Sequence, residues 1–178
     1  MNKQSFTVRS ILILNLIFFL GMLFINYESF VGHINGVSIN VLSDKYINLF
    51  TPAPITFCVW GVIYLGLFLY VIWQLKSVFH KNIAPNVYMV AQKIGVLFLL
   101  SCVFNAAWLF AWHYDKLLFS TLIMAGLLFT LIEINRSISF ELTSTPNYRM
   151  YLKIPFGLYL GWISIAMISN VEIGRAHV

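Results

Sequence analysis

Three sets of side chains carry what chemistry this sequence offers. Phe57, Trp60 and Tyr64 fall at i, i+3 and i+7, and Asn105, Trp108 and Trp112 repeat that spacing, so on a helix each set lines one face. Tyr159, Trp162, Ala166 and Asn170, spaced by three and four, supply a third face. Indole rings stack on flat apolar molecules and an amide orients a polar edge, so all three are candidate pocket walls for recognition rather than bond-making. Signatures of bond-making are missing: the chain has no Walker loop, no G-x-G-x-x-G, no G-x-S-x-G and no H-E-x-x-H. His33, His80 and His113 are not spaced as metal ligands and read as solvated loop residues. Cys58 and Cys102 sit inside apolar blocks and read as small buried residues, so neither a metal nor a required cofactor is expected. Glu28, Asp44, Asp115 and Glu141 read as loop residues and Glu133 as an interfacial partner of Arg136, whereas a proton relay needs a carboxylate deeper in a span.

The elements that must position these faces are set by composition. Of 178 residues, 60% are hydrophobic and only 10% charged, and the mean hydropathy is +0.85. That is too little polar surface to cover a globule in water, where about 25% of residues are charged. The apolar residues come in blocks of spanning length, at about 10–26, 55–75, 94–112, 117–134 and 154–170. The expectation is an all-α, polytopic membrane protein: one bundle of five transmembrane helices over residues 1–171, with the lipid bilayer as its principal partner. Pro52 and Pro54 precede the second span and Pro155 opens the fifth, where a missing N–H costs nothing, while Pro85 and Pro146 fall between spans.

The formal charge of +5 is a topology signal before it is anything else, and no nucleic-acid partner is expected. One side collects Lys3, Arg9, Lys76, Lys81, Lys93, Arg136, Arg149 and Lys153, and the other only Lys45 and Lys116. The positive-inside rule then places the N-terminus in the cytoplasm and the first loop outside. Lys3 and Arg9 ahead of an apolar run imitate a signal peptide. Asn26, Tyr27 and Glu28 follow in place of a small-residue cleavage site, so the segment reads as an uncleaved first span.

The first loop, 27–53, is too long for a connector. Ser43 and Asp44 read as the cap and acidic first turn of a short helix through Tyr46, Leu49 and Phe50, ended by Thr51 and Pro52. Such a helix forms a lid over the bundle mouth; one resting on lipid headgroups fits the same spacing. Asn105, near the centre of its span, must face the bundle interior, where an interhelical hydrogen bond and a ligand contact would each satisfy it. Trp73 and Trp112, nearer span ends, fit interface anchors, and Gly157, Gly161 and Ala166 fit close helix approach. Residues 172–178, Glu-Ile-Gly-Arg-Ala-His-Val, spell one reading frame of a widely used sequencing adapter. They are set aside from site arguments, and the natural chain is expected to differ after Asn170 or Val171.

In three places the sequence resembles the tryptophan-rich sensory proteins, the family of TspO and the mitochondrial translocator protein (peripheral benzodiazepine receptor). The segment from Thr51 to Tyr64 is similar to its proline-rich entry followed by F-x-x-V-W-x-x-x-Y, Phe104 to Trp108 to its L-N-x-x-W, and Trp162, Ala166 and Asn170 to its W-x-x-x-A-x-x-x-N. The family's K-P-x-W-x-P-P run is replaced by Ser43-Asp44-Lys45-Tyr46 with Pro52 and Pro54, and a family proline by Leu158. These departures resemble a longer bacterial branch with further helices after the fifth. The resemblance implies a bacterial cell-membrane protein, often a homodimer, whose pocket under the first loop binds porphyrins or other hydrophobic small molecules. Phe57, Trp60, Tyr64, Asn105, Trp108, Trp162 and Ala166 would form the site, and Asp44, Tyr46, Phe50 and Pro52 the lid. It implies a sensory or regulatory binding protein for tetrapyrroles, with light-dependent porphyrin breakdown and transport of tetrapyrrole or lipid-like solutes as the competing classes.

Overall fold

A computed structural model describes residues 3–39, 41, 58–79, 83–145 and 147–176. The lid helix expected at Ser43–Phe50, with Asp44, Tyr46, Phe50 and Pro52, lies outside these residues, as do Phe57 and His80. The regular structure of the described residues is all helical, without strands, and includes five helices long and apolar enough to cross a membrane. We number them α1 (Lys3–Val31), α2 (Cys58–Leu75), α3 (Pro85–His113), α4 (Leu117–Phe140) and α5 (149–176).

Each helix packs against two others, in the ring order α1, α2, α5, α4, α3 and back to α1. Inside the ring Tyr70, Phe98 and Phe156 meet edge to face, with centroids 5.0 and 5.1 Å from Tyr70, and all three are fully buried. Outside it the pattern of a soluble protein is inverted: Phe24, Leu65, Leu118 and Phe129 are each at least 60% exposed. Lipid is the solvent that such a surface suits.

Four helices run farther than their apolar blocks, α4 continuing from 134 to Phe140. The first was expected to stop at Asn26 and continues five residues to Val31, because nothing breaks it before Gly32. Gly32 has φ +84° and the His33 N–H reaches the Glu28 carbonyl at 3.0 Å, a Schellman closure that needs a residue free to turn left-handed. The first loop therefore starts at Gly32, and Glu28 belongs to the last turn of α1, paired with His33 at 2.9 Å. The third helix begins at Pro85 rather than at 94, with the proline in its first turn and a π turn at Ala91–Gly95. A π turn over Arg149–Lys153 likewise leads into the fifth, so Pro155 does not open that helix. Its missing N–H falls where the ladder is already changing pitch, which is how a helix tolerates it.

The close approaches are made by other glycines than those expected. A Cβ on Gly66 would lie 3.0 Å from the Pro155 ring, and one on Gly126 would lie 3.2 Å from the ring of Phe104, whereas Gly157 and Gly161 are exposed with nothing within 4 Å. α5 turns those two outward, so they bring no helix of this bundle closer. Helix α5 continues through Glu172 to Ala176, with Ile173 buried in the core.

Candidate functional site

Continuing α1 past Asn26 builds one side of a cavity. Leu23, Asn26, Tyr27, Ser29 and Phe30 of α1 face Cys58, Trp60, Gly61 and Tyr64 of α2 across a space of about 580 Å³, with Trp108 of α3 behind them and Ile39 at one end. The volume falls within the range of small-molecule sites, about 300–1,000 Å³, and the wall is overwhelmingly apolar.

Trp60 is held on three sides. It stacks on Tyr64 with centroids 5.3 Å apart, and meets Tyr159 and Trp162 of α5 edge-on at 6.1 and 5.9 Å. Such contacts fix the ring plane without consuming its hydrogen-bonding end. Trp108 stacks with Trp112 at 6.1 Å, and its indole N–H is buried without a hydrogen-bond partner.

A hydrogen-bonded chain crosses the floor. The Tyr64 hydroxyl donates to Asn26 Oδ1 at 2.6 Å; Asn26 Nδ2 donates to Asn105 Oδ1 and to the Met22 carbonyl, each at 2.8 Å; Asn105 Nδ2 donates to the Tyr159 hydroxyl at 2.9 Å. The chain joins α2, α1, α3 and α5 in that order. Both amides keep an acceptor and a donor engaged, which is what allows two of them at membrane depth.

The candidate residues thus divide. Trp60, Tyr64 and Trp108 line the cavity. Asn105 is fully buried one bond behind Asn26, and Trp162 backs Trp60 from α5. Ala166 packs against the core, and its carbonyl accepts from Asn170 Nδ2 at 3.2 Å. Asn170 in turn accepts from the Ser120 hydroxyl at 2.8 Å, pinning α5 to α4.

Asn26 and Ser29 are cavity residues that block-length reasoning had left at or beyond the end of the first span. The signal that could have found them is the helix-stop glycine at 32, since α1 then carries Leu23, Asn26 and Phe30 along one stripe. His113, expected in solvent, is buried, with its Nε2 2.7 Å from the Ser29 hydroxyl, and its carbonyl accepts from Asn35 Nδ2 at 2.8 Å. Asn35 and Gly36 turn left-handed at φ 55° and 70°, which folds the chain after α1 back onto the end of α3. Trp112, expected at the interface, is buried by its stacking on Trp108; Trp73 stacks on Tyr151 at 5.6 Å, far along α2 from the cavity.

At the opposite end of the bundle Asn15 Nδ2 donates to Gln74 Oε1 at 3.3 Å and Gln74 Nε2 to the Tyr70 hydroxyl at 2.6 Å, all three residues fully buried. Lys93 pairs with Glu141, and Arg136 lies 3.8 Å from Glu133. Among the described residues no three His, Cys, Asp or Glu side chains gather as a metal site.

A ring of five membrane-spanning helices, with an aromatic cavity over an amide floor lined by α1, α2 and α3, defines a polytopic membrane protein with room for a small-molecule ligand. Comparison with known families is specific: the TSPO-like protein family model matches residues 12–177, and the chain belongs to that family. Neither the curated proteins nor the solved structures supplied a match.

Proposed function

We propose that the protein is a sensory or regulatory binding protein for tetrapyrroles, or for hydrophobic molecules of similar flat shape, rather than an enzyme. The observation that carries this reading is the meeting of Trp60, Tyr64 and Trp108 around one cavity whose floor is the Tyr64–Asn26–Asn105 chain. Three aromatic groups offer area for a planar apolar body. The amide and hydroxyl offer an edge contact, and the buried Trp108 N–H is a donor still unmatched inside the protein. The tetrapyrrole is here a ligand and not a working cofactor. The charge bias supports a cell-membrane protein with a cytoplasmic N-terminus and the cavity on the external side. Family membership supports a homodimer as the assembled form.

Titration of the purified protein in detergent with protoporphyrin IX, followed by its Soret band, tests the reading. Saturable binding above the detergent blank that disappears in a Trp60→Ala, Trp108→Ala double variant is expected. Equal binding by both proteins overturns it and returns these aromatics to packing roles.

A further inference from the structure

The lining of the cavity, among the described residues, comes from α1, α2, Trp108 of α3 and Ile39. Among the residues that line it, Tyr27 and Phe30 of α1 are 59% and 62% exposed, and Cys58 and Gly61 of α2 are exposed as well. A side chain that both lines a cavity and faces out of the bundle marks its rim. This rim lies between α1 and α2, in the last turns of α1 and the first turns of α2, the ends next to the first loop.

Packing of α2 explains the gap. At Gly66 the helix is pressed against Pro155 of α5, with a Cβ position only 3.0 Å from the ring. At Gly61, five residues nearer the loop, a Cβ would meet nothing within 4 Å. The helix is thus close against α5 at Gly66 and faces open space at Gly61, and the Tyr64–Asn26 bond ties it to α1 at the cavity floor. Tyr27, Phe30, Cys58 and Gly61 carry no charge, and beyond the Tyr27 hydroxyl the rim offers a hydrated solute little in return for its lost water. A molecule already dissolved in lipid gives up no hydration in crossing it.

From this geometry we propose that the cavity is entered sideways from the bilayer, through the gap between α1 and α2 at Gly61. Its ligands are then amphiphiles of the leaflet adjoining the first loop, with an apolar body at the rim and a hydrogen-bonding end directed to Asn26 and Tyr64. The proposal rests on the binding reading for its ligand, but the route makes demands of its own.

Two measurements in reconstituted vesicles test it. Cys102 is buried and Cys58 exposed, so a nitroxide reagent applied to the full chain labels Cys58 at the rim. Collisions of that nitroxide with oxygen, which concentrates in lipid, are expected to dominate those with a water-soluble nickel chelate; the reverse overturns the portal whatever binds inside. In the second measurement, protoporphyrin IX quenching of tryptophan fluorescence is followed by stopped flow. Association is expected to track the porphyrin-to-lipid ratio, and Gly61→Leu, which has space for its side chain, to slow association and dissociation together by about tenfold, as obstructing a path does. Unchanged association with faster dissociation would mean a lost contact instead of a blocked path, and overturns the proposal. If protoporphyrin does not saturate the wild type, the tetrapyrrole reading falls, and the nitroxide alone decides the portal.

Discussion

The Tyr64 hydroxyl donates to Asn26 Oδ1 at 2.6 Å, which fastens the second helix to the first at the floor of the cavity, as Asn15 and Gln74 fasten them at the other end. Both residues line that cavity, and Asn26 passes the connection on to Asn105 and thence to Tyr159. Cavity lining and bundle packing thus share the same polar atoms.

Tyr64→Phe removes a terminal donor and leaves the rest of the chain intact. A loss of about 1 kcal/mol is expected, the ordinary worth of an interhelical hydrogen bond in a membrane protein. Asn105→Ala removes an internal link, taking one of two acceptors from Asn26 Nδ2 and the donor from the Tyr159 hydroxyl, so about 2 kcal/mol is expected. Reversible unfolding in mixed micelles orders the two variants.

The tryptophans separate by position. Trp60→Ala is expected to weaken protoporphyrin binding at least about tenfold, the equivalent of about 1.4 kcal/mol. Trp73→Phe, which keeps an aromatic ring against Tyr151 and lies away from the cavity, leaves it unchanged. Soret titrations of the two variants side by side check this; equal losses would show that Trp60 acts only through the fold.

Glycines at equal apparent cost in the sequence should behave oppositely. Gly66→Leu drives a side chain into the Pro155 ring, which cannot rotate away, and is expected to destabilise by about 1–3 kcal/mol. Gly157→Leu enters open space and should be neutral to within about 0.5 kcal/mol. Melting temperatures of the detergent-solubilised variants decide.

His113→Leu deletes the partner of the Ser29 hydroxyl while preserving bulk. Faster amide exchange is expected from Glu28 through Val37, where the chain folds back onto α3, with little change in α4; His113→Gln, which can still bond Ser29, should restore part of the protection. Uniform exchange across the bundle would show that the contact serves global stability instead.

A protein that binds its tetrapyrrole without altering it leaves the bound Soret band constant under illumination. Bleaching that depends on Trp108 or Trp162 would move the protein to the enzymatic class, and uptake of porphyrin into sealed vesicles to the transport class.

How much of this was legible beforehand follows from what solvates each part. A helix exposed to lipid must be apolar along its whole length and satisfy its own backbone, so the five spans and the all-helical class are written in the residue order itself. Their ends were less legible. Beyond the hydrocarbon a helix needs no apolar residues to continue, and it was Gly32 and Pro85, not the polarity of Tyr27 or Lys93, that set the limits of α1 and α3. The aromatic faces on α2 and α3 were visible as spacing, and spacing carried Trp60, Tyr64 and Trp108 to one cavity. What the order of residues could not supply was rotation: helices apolar all round have no polar face to say which side turns inward. Only tertiary packing brought Asn26 to Asn105, 79 residues away, buried His113 against Ser29, and turned Gly66 inward while Gly157 and Gly161 faced out. Those choices depend on the shapes of neighbouring helices, and a shape-matching term between distant segments leaves no periodic trace in either of them.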